Sequence, residues 1–249
     1  MARSAFSLVT LLVCLLIVCF ALAQGPENID MYPSGVPASL ARSYPLASIS
    51  VADLSIPPRA RKEFEKASEL IQKREFQKAL ERLNRAIAIA PDFAYAYNNL
   101  GVVYSHLGDS VSDRKALEKA IALNDHFALA YENLGRLDIT DADFPGAEIA
   151  LQKASNVDPQ NAVTLILLGY SELMQKHFDD AVATSGRAHT LSQPHAFAHR
   201  IAARAFEHWH EFPQAIAELK QCIAEEPTGS RADAARHELE IVQNLQHAQ

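Results

Sequence analysis

Ala94–Gly101 reads A-Y-A-Y-N-N-L-G, Ala128–Gly135 reads A-L-A-Y-E-N-L-G, and Ala162–Gly169 reads A-V-T-L-I-L-L-G. The three stretches stand 34 residues apart. Working outward at that interval, Ala60 and Ala196 open two further units. One column then reads Ala86, Ala120, Ala154, Ala188, Cys222, and another Ala79, Asp113, Ala147, Ala181, Ala215. A third reads Phe76, Ser110, Phe144, Phe178, Phe212, and units close on Pro91, Pro159 and Pro227. The register holds from Ala60 to Pro227 without insertion or deletion. A fixed period of this length marks a solenoid, in which each unit buries its apolar face only against its neighbours.

Each unit reads as two helices. In the first, Arg61 to about Lys73 is followed by a break at Arg74-Glu75 and then by Phe76 to Ala90. Leu70, Ala79, Leu83, Ala86 and Ile87 keep the spacing of a one-sided helix. Later breaks fall at Leu107-Gly108-Asp109, Thr140-Asp141-Ala142, Gln175-Lys176-His177 and Trp209-His210-Glu211. Glycine or alanine at a crossing lets antiparallel helices approach closely, while Phe144, Leu151 and Phe178 fill the flanks. After Pro227, residues 230–249 make a single helix with no sixth unit. Ser230 is its expected N-cap; Ala234, Ala235, Leu239, Val242 and Leu245 form its apolar stripe, with Arg231, Arg236, Glu238 and Glu240 on the polar side. A terminal helix of this kind closes an open solenoid edge.

The N-terminus is different material. Arg3 precedes an uncharged run from Phe6 to Ala23 that ends Ala21-Leu22-Ala23, followed by Gln24. This is the layout of a secretory signal peptide over residues 1–23, implying export to a periplasmic or secreted location. The alternative is a membrane anchor formed by residues 6–23 if the segment is uncleaved. A bacterial lipoprotein signal is rejected, because Cys14 follows Val13 and Cys19 follows Val18. Cleavage would leave Cys222 as the only thiol, expected to be buried. Residues 24–59 hold six of the twelve prolines (Pro26, Pro33, Pro37, Pro45, Pro57, Pro58), which excludes a long helix and reads as a linker. The stretch from Ile49 to Ile56 could lie against the first unit, and residues 40–56 are one possible occupant of a groove. The whole chain has 23 Lys and Arg against 30 Asp and Glu, net −7, and loss of Arg3 makes it more acidic still. That balance, without basic blocks, argues against nucleic acid as a ligand.

The period, its alanine columns and its Leu-Gly pairs resemble the tetratricopeptide repeat over about 170 residues, in five units: 60–93, 94–127, 128–161, 162–195 and 196–229. The resemblance implies an all-α, right-handed superhelical solenoid of antiparallel helix pairs. It also implies a concave groove lined by the first helix of each pair. Helical geometry then points Tyr95, Asn98, Asn99 and Val102 inward. Leu129, Glu132, Asn133 and Arg136 follow on the next unit, then Val163, Ile166, Leu167 and Tyr170, then Phe197, Arg200 and Arg204. Asn99 and Asn133 are expected on open surface, where amides could hydrogen-bond a peptide backbone. Some cytosolic co-chaperones of this family clamp a C-terminal carboxylate with Lys and Asn. Here Asn99 and Asn133 match asparagine positions, but Tyr95, Leu129, Val163 and Leu167 replace the basic partners, so that clamp is excluded. Departures from the pattern are Asp113 in an alanine column, Asp125 and Gln193 where proline is expected, and Asp138 and Glu172 in the column Leu70, Tyr104, Asp138, Glu172, Phe206. These two acids must reach solvent or find partners.

Ten histidines raise the question of metal binding. His195 and His199 stand at i, i+4, with His208 and His210 flanking Trp209, but there is no nearby cysteine and no H-E-x-x-H. The reading is no metal and no cofactor. Nucleophile elbows and phosphate-binding glycine loops are absent, and Ser185-Gly186 reads as a packing variant. The expected function is a non-enzymatic scaffold that holds a protein or peptide segment in the groove, in the cell envelope or outside the cell. The alternative is an accessory or specificity subunit of a separate envelope enzyme or assembly machine. Oligomeric state is left open.

Overall fold

The computed structural model describes residues 56–191 and 196–248. The signal and linker segments up to residue 55, the possible groove occupancy by residues 40–55, and Gln193, Pro194 and His195 lie outside the described residues. Among the described residues there are eleven α-helices and no strand. They are α1 (Pro58–Gln72), α2 (Phe76–Ile89), α3 (Ala94–Leu107), α4 (Ser110–Leu123), α5 (Ala128–Thr140) and α6 (Phe144–Val157). The series continues with α7 (Ala162–Met174), α8 (Phe178–Thr190), α9 (Ala196–His208), α10 (Phe212–Glu225) and α11 (Ser230–His247). None is long and apolar enough to cross a membrane. Each odd helix up to α9 packs on the even helix that follows it, and each even helix packs on the next unit. The result is an all-α tetratricopeptide-type solenoid. The helix starts at 94, 128, 162 and 196, and at 76, 110, 144, 178 and 212, repeat the interval seen in the sequence.

One local device makes every unit turn alike. The residue between the paired helices has positive φ in all five units: Arg74 at 59°, Gly108 at 78°, Ala142 at 59°, Lys176 at 65° and His210 at 59°. The amide one residue later reaches back five positions to a helical carbonyl. Glu75 N donates to Leu70 O at 2.8 Å, and Asp143 N to Asp138 O at 2.8 Å. Asp109 to Tyr104, His177 to Glu172 and Glu211 to Phe206 repeat the bond. This is the Schellman way of ending a helix on a left-handed residue. The variable column Leu70, Tyr104, Asp138, Glu172, Phe206 therefore contributes its carbonyl, for which any side chain serves.

The helix crossings are closed by size. A β-carbon on Gly135 would lie 2.5 Å from Leu151 Cγ, and one on Gly101 would lie 2.9 Å from Leu117. The leucine column Leu83, Leu117, Leu151, Leu219 is fully buried. In the fourth unit Ser185 takes the leucine position, and its Oγ would lie 3.2 Å from a β-carbon on Gly169. The core therefore runs on through stacked units, with Ile56 closing the N-terminal end beside Phe64 and Phe93. Cys222 is buried as expected, and burial pushes its thiol up to about 12.

The C-terminal helix differs from expectation in three places. Ser230 is the first helical residue and its side chain makes no cap; Gly229, at φ 94°, occupies the cap position. The turn after Pro227 demands that φ, which glycine adopts without strain, so serine is displaced inward. Leu245 is exposed, whereas Val242 and Leu239 pack on Phe212, Ala215 and Leu219. Glu238, assigned to the polar side, is buried and faces α9.

Candidate functional site

Consecutive first helices touch directly, α3 with α5, α5 with α7 and α7 with α9, so their facing sides form one wall. The residues named from the sequence as inward-pointing all belong to these first helices, and their neighbours divide them into two sets.

The polar set bonds across the units, with Asn99 Nδ2 and Asn133 Oδ1 buried without a hydrogen-bond partner. Asn133 Nδ2 donates to Asn98 Oδ1 at 2.9 Å, and Asn98 Nδ2 donates to Asn99 Oδ1 at 3.2 Å. Arg136 donates to Glu132 Oε1 from Nε at 3.2 Å and from Nη2 at 2.7 Å. The other Glu132 oxygen accepts from Thr164 Oγ1 at 2.6 Å and Asn161 Nδ2 at 2.9 Å. Asn98, Asn99, Glu132, Asn133 and Arg136 are all buried, with Asn99 at 0% and Asn133 at 3% exposure. The expectation of an open amide column is corrected here. Adjacent units approach so closely that these groups bond across the seam between α3, α5 and α7 instead of facing solvent. Val102, Ile166, Leu167 and Tyr170 are buried as well.

The second set is half-open. Tyr95, Leu129, Val163 and Phe197 stand at the same position of four successive units, and all four are partly exposed. Tyr95 rests on the Phe127 ring at 4.7 Å between centroids, and Phe197 on Tyr170 at 6.1 Å. Tyr170, Leu173, Phe197 and Ile201, with Arg200 and Arg204, line a cavity of about 10 Å³, room for a water at most. Arg200 and Arg204 are not free to meet a ligand: each donates through Nε to Glu238 of α11 at 3.0 Å. The capping helix thus reaches into the wall that the sequence placed open, a contact hidden because Glu238 falls outside the repeated columns.

Behind the wall lie acids that the pattern did not predict. Asp138 pairs with Arg114, Oδ1 to Nη1 2.6 Å, and a second Arg114 nitrogen reaches Asp141 at 3.1 Å. Asp138 thus finds its partner in the second unit, across the interface. Glu172 accepts from Thr184 Oγ1 at 3.2 Å. Burial pushes the carboxyls of Asp113, Glu172 and Glu207 each up to about 7.

Family models described as "TPR repeat" and "Tetratricopeptide repeat" match residues 60–108 and 94–127. No curated protein sequence matches the chain. Among solved structures, YrrB, titled a TPR protein with an unusual peptide-binding site, has a TM-score of 0.63 at 19% identity, over 75% of this chain and 95% of that one. PilF of Pseudomonas aeruginosa has a TM-score of 0.62 at 16% identity, over 77% and 98%. MamA of Desulfovibrio magneticus RS-1 has 0.63 at 14%, over 69% and 97%. At these identities the likeness is one of fold.

Proposed function

We propose that this chain, a solenoid of tetratricopeptide repeats, is a non-enzymatic scaffold that holds a segment of a partner protein along its first helices. The observation that carries the reading is the half-open apolar row Tyr95, Leu129, Val163 and Phe197, one residue per unit. The polar groups behind it are buried between units, so affinity comes from burying spaced apolar side chains, with specificity set by their spacing. Helix axes about 10 Å apart repeat the row at a distance that apolar residues along one partner segment can match. The peptide-binding site named for YrrB lends the reading support at the level of fold. Selection of peptides from a displayed random library tests it. Enriched peptides should carry regularly spaced apolar residues and should lose binding to a Leu129→Glu/Val163→Glu double variant. Undiminished binding to that variant overturns the reading.

The place of action we propose is outside the cytoplasm, in the periplasm or beyond, on the strength of Arg3 and the apolar run 6–23. N-terminal sequencing of exported protein should begin at Gln24. A chain beginning at Met1 in the membrane fraction supports the anchor instead.

A further inference from the structure

Away from the apolar row, α8, α9 and α10 bring two histidines and a glutamate to one point. His189 lies in the last turn of α8, His199 in the first turn of α9, and Glu225 ends α10. His199 is buried, while His189 is exposed. His199 Nε2 lies 3.4 Å from Glu225 Oε1, and His189 Nδ1 lies 3.6 Å from the same oxygen. The two imidazole rings are 4.5 Å apart between centroids. One donor atom from each residue falls within 4.8 Å of the other two.

Three features distinguish this group from a plain histidine ion pair. The first is spacing. Nitrogen and oxygen ligands at about 2.0–2.2 Å from a tetrahedral ion stand about 3.3–3.6 Å from one another, and the two contacts to Glu225 fall there. The second is tautomer control. His199 Nδ1 lies 2.6 Å from Glu218 Oε2. A carboxylate on one ring nitrogen fixes the proton there and leaves the lone pair of the other directed at the cluster. The third is an unsatisfied group: Glu225 Oε2 is buried and accepts no hydrogen bond.

We propose that His189, His199 and Glu225 form a binding site for a divalent transition-metal ion of the zinc type, with Glu218 as the positioning residue for His199. Two imidazoles and a carboxylate suit borderline ions over calcium or magnesium, which take all-oxygen sites. Three protein ligands leave one coordination position open to solvent. The ion ties the end of the fourth unit to the fifth by joining α8 to α9 and α10. The site shares no residue with the apolar row, so peptide capture and metal uptake stand or fall separately.

The test is calorimetric titration of untagged full-length protein with Zn²⁺, with visible absorption of Co²⁺ as the geometric probe. One equivalent of Zn²⁺ should bind, and Co²⁺ should give the intense visible bands of a four-coordinate site. His189→Gln changes an exposed side chain and leaves the fold intact by circular dichroism; it should weaken Zn²⁺ binding by more than about tenfold. Glu218→Gln should weaken it by about 10–100-fold while keeping one equivalent. His237→Gln, an exposed histidine elsewhere, should leave binding unchanged. No uptake by the unaltered protein, or equal uptake by the His189→Gln variant, overturns the proposal.

Discussion

Ala142, Lys176 and His210 each hold an L side chain at φ of 59–65°, where the second unit has Gly108. The left-handed region costs a residue with a β-carbon about 1–2 kcal/mol, and glycine gives back about 0.5–1 kcal/mol through its freer unfolded chain. Ala142→Gly is therefore expected to stabilise the protein by a few tenths to about 1 kcal/mol, measured by urea unfolding; a destabilised variant shows the turn unstrained. The buried acids set the pH response. Asp113, Glu172 and Glu207, pushed up to about 7 by burial, bind protons in the native chain that the unfolded chain has already released. Their contribution is complete below the ordinary carboxylate range and is lost as pH rises through about 7. His199, raised chiefly by its hydrogen bond to Glu218, acts in the same direction. The melting temperature should fall between about pH 5 and about pH 8, and Glu172→Gln should flatten that slope. A melting temperature that climbs over this window contradicts the assignment.

Among the helices, the seam between α3 and α5 bears on how far the chain can be read without a structure. Asn133→Ala removes the bond to Asn98 and leaves a buried carbonyl without its donor, so thermal unfolding should report a loss of about 1–3 kcal/mol. A loss below about 0.5 kcal/mol, the usual range for surface changes, would restore the open amide column. Helix starts, breaks and crossings were legible because the 34-residue interval repeats the same sterics five times. The seam was not, because helical periodicity names the face on which Asn99 and Asn133 lie but not how near the next unit comes. Glu238 was missed for a related reason: one helix seen once has no column to compare, and a charged residue reads as solvent-facing until its partners, Arg200 and Arg204, are placed. Removing residues 228–249 should expose Phe212 and Leu219 and strand both arginines. The expected outcome is a lower melting temperature with self-association by light scattering; a monomer of unchanged melting temperature would remove α11 from the role of cap.

Over the described residues the same turn joins the two helices of every unit, and the principal helix contacts join neighbouring units alone. Stability of such an array is a sum of local terms, so rupture need not be all-or-none. Pulled by its ends, the protein should behave as a chain of equal catches. Each released unit of 34 residues frees roughly 110–120 Å of contour at about 3.3–3.6 Å per residue. Single-molecule stretching should therefore show a sawtooth of evenly spaced events, and uneven spacing would mean that neighbouring units yield together. A linker of that design lengthens by counted increments under load, so in an assembly under tension it acts as a ruler as well as a tether.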